Sequence, residues 1–274
     1  MSGQVTAGPV VVGVDGSPSC LAAVETAARE AQRRGVRLQL AHALSWTGRS
    51  APGVAPWDPD GADVREQVNG ALTLAEGRAR RVAPQVAITR EVLVGEPGTV
   101  LESESRTASL TVVGSSPPSP LRGLRHMSVA GHLTAYGRGP VLVVCGRPTR
   151  TGPVVLAEDG TPGVRAAAEF AFAEAYERGA DLVVLHTRTE RRRSGTPAPG
   201  SDLTGLVKKY PYVTVRSRWI RHRPHRALID ASAGARLLVL PARPRHTPAL
   251  PGTTDHAVLR RALCPVAVIP GRPQ

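Results

Sequence analysis

Val10–Pro18 reads VVVGVDGSP, and Val154–Pro162 reads VVLAEDGTP. Each stretch is an apolar run that closes on an acidic turn and then on a hydroxyl residue followed by proline. They stand 144 residues apart, and the same offset carries Arg34-Gly35-Val36 onto Arg178-Gly179-Ala180 and Leu40-Ala41-His42 onto Val184-Leu185-His186. Farther along the offset falls to 127, pairing Pro97 with Pro224 and Gly114 with Pro241, and then to 125, pairing Pro140-Val141 with Pro265-Val266. An offset that only shrinks describes one fold written twice, with deletions in the second copy. The period lies far beyond the roughly 20–50 residues of solenoid repeats. Two tandem domains are therefore expected, residues 1–147 and 148–274, joined by a Pro/Gly linker at Gly146–Gly152.

Val-rich runs of five or six residues suit strands buried on both faces of a parallel sheet. Ser17-Pro18 and Thr161-Pro162 are each expected to give a helix N-cap followed by proline at the first helical position. In the helices that follow, Leu21, Val24, Ala28 and Ala31 share one face, as do Val164, Ala168, Ala171 and Ala175. Second strands are expected at Arg37–Ala43 and Asp181–Thr187. A long helix over Ala62–Val82 has only a short counterpart near Asp202–Tyr210, which accounts for most of the lost length. Further strands are expected at Val86–Leu93, Leu110–Val113 and Pro140–Cys145, and at Val213–Ile220, Arg236–Leu240 and Pro265–Ile269. Helices open at Pro97 and Pro224. Strands and helices that alternate in this way imply an α/β fold, in each half a parallel sheet flanked by helices.

Composition narrows the function. Aromatic residues make up 3% of the chain, so the cores must be built from Val, Leu, Ala and Ile. Three cysteines (Cys20, Cys145, Cys264) form no disulfide framework and suit reduced thiols. No apolar run reaches the length of a membrane span, so a soluble cytoplasmic protein without a membrane partner is expected. The formal charge of +13 resides in arginines apart from Lys208 and Lys209. No helix-turn-helix, zinc-finger or RNA-recognition signature accompanies that charge, so no nucleic-acid partner is expected. The eight histidines form no metal signature, and His222 and His225 are separated by Pro224. VVGSSPPSP lacks the Gly-Lys-Ser/Thr ending of a Walker loop, and no Gly-x-Ser-x-Gly elbow occurs. No residue set reads as catalytic.

Val14–Ser17 (VDGS), Leu40–Ala43 (LAHA), Gly95–Pro97 (GEP), Val112–Ser115 (VVGS) and Cys264–Ile269 (CPVAVI) follow one another in an order and spacing that resembles the universal stress protein family. The resemblance covers nearly the whole chain and identifies a tandem two-domain form. It implies two Rossmann-like domains, each a five-stranded sheet of order 3-2-1-4-5, with the last strands of the two halves paired. It also implies an adenine-nucleotide cleft beyond the strand ends. Carried over by position, the candidate nucleotide-binding residues are Val14, Asp15, Ala43, Gly114, Ser128 and Val129 in the first copy. In the second they are Asp159, Thr187, Gly252, Thr253 and Thr254. Asp15 and Asp159 equally suit plain Asx turns, and Ser128 and Thr253 suit helix caps better than phosphate contacts.

The ATP-binding branch of that family holds phosphates in a loop patterned Gly-x-x-Gly, nine residues, then Gly-Ser/Thr. Such a loop needs glycine so that backbone N–H groups can turn toward the phosphates. Here Pro117 and Met127 stand at the second and third glycine positions of the first copy, and Pro241 at the first position of the second. Proline has no N–H to donate. The expectation is a non-enzymatic, stress-associated regulatory or binding module with degraded nucleotide sites. No cofactor is required, and ATP or another adenine nucleotide is held weakly, with residual adenosine-type binding in the first copy. The alternatives are a functional ATP-dependent switch and a basic nucleic-acid-associated protein. A homodimer and a regulatory protein partner are further expectations.

Overall fold

The computed structural model describes residues 8–44, 62–115, 128–146, 151–161, 163–187, 203–220, 223–242 and 254–271. The expected boundary at 147/148 lies outside them. The first half runs β1 (Val10–Gly13), α1 (Pro18–Arg34), β2 (Leu38–Leu44), α2 (Ala62–Val82), β3 (Ile88–Val94), α3 (Pro97–Glu104), β4 (Leu110–Gly114), α4 (Val129–Tyr136) and β5 (Val141–Val144). The second runs β6 (Val154–Glu158), α5 (Val164–Glu177), β7 (Leu182–Thr187), α6 (Thr204–Lys209), β8 (Val215–Ile220), α7 (Pro224–Ser232), β9 (Leu237–Pro241), α8 (Thr254–Arg261) and β10 (Val266–Ile269).

One sheet of ten strands holds both halves, in the order β3-β2-β1-β4-β5-β10-β9-β6-β7-β8. Each half thus has the expected order 3-2-1-4-5, with parallel neighbours throughout. The halves meet through β5 and β10, which pair antiparallel with Val143 opposite Val266 and Leu142 opposite Ala267. That seam leaves neither inner strand as an open edge. Strand residues alternate between two cores because successive side chains point to opposite faces. Val10 and Val12 pack with α1, α2 and α5 in one cluster that spans both halves, whereas Val11 packs against Leu101 and Leu133 from α3 and α4. In the second half Val155 likewise joins Leu228 and Val258 from α7 and α8.

The helix starts differ between the copies. Ser17 caps α1, its Oγ accepting from the Cys20 N–H at 3.2 Å, with Pro18 at the first position as expected. The matching cap at Thr161 does not form, and α5 begins at Val164 behind Gly163. Instead the Thr161 N–H (2.9 Å) and hydroxyl (2.7 Å) both donate to Asp159 Oδ1, and the Thr161 carbonyl accepts from the Val164 N–H at 3.1 Å. Pro162 lies outside the described residues. Strand limits otherwise fall within two residues of expectation. No described helix is long and apolar enough to cross a membrane.

Continuing the β5–β10 register by two residues sets Cys145 opposite Cys264, and the Cys145 thiol donates to the Cys264 carbonyl at 3.1 Å. Burial pushes these thiols up to about 11 and about 12 from the ordinary 9.0. Both should therefore resist a thiol-specific reagent near neutral pH in the native protein and react fully in urea, because only the thiolate attacks. The linkage runs one way. The folded values lie above the unfolded one, so this stabilising contribution is complete below pH 9 and declines as pH rises through about 11–12. Native-state labelling of either cysteine at neutral pH would contradict the seam as described.

Candidate functional site

In a sheet of this order the chain leaves β1 and β4 in opposite directions, which opens a crevice beyond their carboxyl ends where such folds hold ligands. In the first half that crevice is a cavity of about 150 Å³, lined by Gly13, Val14, Asp15, Ser17, Ser19, Cys20, Ala41, His42, Ala43, Pro97, Leu101, Val113, Gly114 and Val129. Its walls come from the ends of β1, β2 and β4 and the starts of α1, α3 and α4. The structure therefore brings five of the six first-copy candidates to one place: Val14, Asp15, Ala43, Gly114 and Val129.

The local chemistry assigns each residue a task. Val14 is buried and supplies an apolar wall. Asp15 is exposed and folds back as an Asx turn, Oδ1 accepting from the Ser17 N–H at 2.9 Å. The turn and a ligand contact are compatible, because that bond uses one of its two carboxylate oxygens. Gly114 is needed for packing whatever the ligand. A Cβ there would stand 2.7 Å from the Ser19 carbonyl oxygen, so only glycine lets β4 end against the first turn of α1. Ser128 does cap α4, its Oγ accepting from the Gly131 N–H at 3.1 Å. Burial raises the Cys20 thiol above its ordinary value, which makes it a poor nucleophile at the cleft wall.

His42 lines this cleft, but its Nδ1 is buried beneath the cavity surface and has no hydrogen-bond partner among the described residues. A buried polar atom left unpaired costs roughly 1–3 kcal/mol, so the first half carries an unmet polar demand behind its cleft wall.

The second half pairs the equivalent imidazole internally. His186 occupies the position of His42, since each is one strand over from the acidic turn in the repeated register. Its Nδ1 lies 2.7 Å from Oε2 of Glu158, the residue that stands where Val14 stands in the first half. The other carboxylate oxygen of Glu158 accepts from the Gly160 N–H at 2.9 Å. Trp219, directly opposite His186 on β8, stacks on the imidazole with ring centroids 4.2 Å apart and planes 20° from parallel. At the corresponding place on β3 the first half carries Val92 opposite His42.

Of the second-copy candidates, Asp159 forms the Asx turn with Thr161, and Thr187 is the last residue of β7. Thr254 is the first residue of α8. Gly252 and Thr253 lie outside the described residues, as do Pro117 and Met127 of the first loop. Pro241 ends β9 and is buried, so the strand end that carries Gly114 in the first half has no N–H to offer in the second. Glu158 and Trp219 escaped the sequence reading, which took the acidic turn as equivalent in both copies. The signal was available in the repeat itself, because an offset of 144 sets Glu158 against Val14.

Comparison with known proteins gives a consistent result. The profile of the universal stress protein family matches residues 7–144. A universal stress protein of Mycobacterium tuberculosis is 32% identical over 309 aligned residues, which cover 98% of this chain and 96% of the relative. One from Mycolicibacterium smegmatis is 30% identical, covering 95% of this chain and 96% of its own. Among solved structures, a universal stress protein from Archaeoglobus fulgidus superposes with a TM-score of 0.76 at 17% identity and 97% coverage of both chains.

Proposed function

The chain belongs to the universal stress protein family, and from that premise we propose that it is a non-enzymatic regulatory binding module whose first cleft receives the adenosine part of an adenine nucleotide and whose phosphate contacts are weak. The observation that carries this reading is the cavity itself, which lies in the crevice between β1 and β4 and is walled by Val14, Ala41, Leu101 and Val113. Apolar walls with a few convergent polar atoms suit a flat heteroaromatic base. The Asp15 carboxylate at the mouth suits hydroxyl donors such as those of a ribose. The cavity of about 150 Å³ is open to solvent on one side, so a base and ribose held there would leave the phosphates outside its walls.

Pro117 and Met127 support the second part of the reading. Pro117 removes one backbone donor, worth about 1.5–3 kcal/mol or roughly 10–10²-fold in phosphate binding, and Met127 puts a side chain where the family's loop has glycine. A cytoplasmic site of action, with a homodimer or a second protein as the reader of the bound state, completes the proposal.

Calorimetric titration with adenosine, AMP and ATP at about 0.1 M salt tests it. Adenosine and AMP should bind, with ATP gaining less than about tenfold over adenosine. Joint Pro117→Gly and Met127→Gly substitution should raise ATP affinity by about 100-fold while adenosine changes by less than about threefold. ATP binding that exceeds adenosine by more than about 100-fold in the unaltered chain would show a competent phosphate loop. Absence of binding by all three would remove the adenosine reading.

A further inference from the structure

We propose that Glu158 closes the second cleft to nucleotides, so that the duplicated chain carries one adenosine-type site and one plugged copy of it. The inference rests on the adenosine reading of the first cleft and adds the residue that decides between the halves.

The two clefts differ at one structural position in a way that changes three things together. In the first half Val14 presents a neutral apolar wall and leaves His42 Nδ1 unpaired. In the second half Glu158 satisfies the equivalent His186 Nδ1 at 2.7 Å, which sets a carboxylate and an imidazole together where the first half has an apolar wall. The same carboxylate holds the Gly160 N–H at 2.9 Å, engaging a backbone donor of the strand-to-helix turn. Valine can do neither. The Glu158 side chain is about 10% exposed, and a carboxylate so enclosed repels a second anion far more than it would in water.

Two neighbours reinforce the plug. Trp219 stacks on the outer strand side of His186 and fixes the plane of the ring, where the first half has only Val92. Pro241 takes the place of Gly114 and withdraws a backbone donor from the end of β9. The internal pairing of carboxylate, imidazole and indole thus replaces the contacts that a bound nucleoside would make. Duplication retained the fold in both halves, and this exchange leaves the ligand to one.

The test is a stoichiometry measured by calorimetry with AMP on the full chain and on three variants, with circular dichroism to verify folding. The unaltered chain should bind one AMP, and Glu158→Val should bind two. Val14→Glu, which transplants the plug, should bind none or bind at least about tenfold more weakly. Glu158→Gln keeps an acceptor for Gly160 and guards against a misfolded valine variant. It should admit AMP at the second cleft, more weakly than Glu158→Val does.

Two AMP per unaltered chain, unchanged by Glu158→Val, would overturn the plug and leave the adenosine reading intact. No binding by the unaltered chain, with one site gained in Glu158→Val, would overturn the adenosine reading of the first cleft and keep Glu158 as the excluding residue. No binding by the unaltered chain or by any folded variant would overturn both.

Discussion

Glu174→Ala should lower the stability of the whole chain by about 3 kcal/mol, because it breaks a buried ion cluster rather than a surface pair. Glu30 in α1 and Glu174 in α5 are related by the 144-residue repeat, as are Arg34 and Arg178. Across the interface the pairs are exchanged: Arg34 reaches Glu174 at 2.5 Å, and Arg178 reaches Glu30 at 2.8 Å. Arg33 adds a contact to Glu174 at 2.8 Å and a second to Glu30. The two carboxylates are 5% and 6% exposed. Burial disfavours the charge on Arg178, yet Glu30 and Glu174 outweigh it and hold that guanidinium above its ordinary value.

Removing Glu174 would leave three guanidiniums facing one carboxylate. The penalty for an uncompensated buried charge is about 3–5 kcal/mol, and the arginines here retain about one-fifth of their exposure, which favours the lower end. Urea denaturation followed by circular dichroism measures it. A loss below about 1 kcal/mol would mean that solvent screens the cluster as it does exposed pairs.

Gly146→Ala should cost about 2–4 kcal/mol, combining backbone strain with overlap at the seam. Gly146 has φ +60°, and a Cβ there would stand 2.1 Å from the carbonyl carbon and oxygen of Leu263. Both are backbone atoms leading into β10, so relief requires moving one half against the other. Gly35 provides the control, with φ +65° and nothing within 4 Å of its Cβ position. Gly35→Ala should cost only about 1 kcal/mol, the strain alone. Equal urea midpoints for the two variants would show that the seam yields without loss. Because both Glu174 and Gly146 tie the halves together, each loss should appear as one shifted transition and not as the separation of two.

Much of this architecture is legible along the chain because its determinants are local or repeated. Val-rich runs, Ser17-Pro18 and Gly35 each act within a few residues, and the helix expected over Ala62–Val82 has those limits in the structure. The repeat shows that the two copies share one strand order, and the family resemblance implied which order it is. The local reading failed at Thr161, because α5 begins farther on, at Val164 behind Gly163. Sequence spacing alone does not fix where a first helical turn closes.

The site divides in the same way. Length, repeat and turn residues by themselves determined the α/β class and the division into two halves, and the family resemblance implied a cleft at Asp15 and Gly114. Only the tertiary structure decided what each cleft can accept. Glu158, His186 and Trp219 lie on three different strands, and their pairing arises because parallel register sets them side by side. The exchanged ion pairs of Glu30 and Glu174 depend likewise on how α1 meets α5. A hydrogen bond or an ion pair is a matter of a few ångströms between atoms, and the chain's order carries that distance only after folding has set the strands and helices against one another.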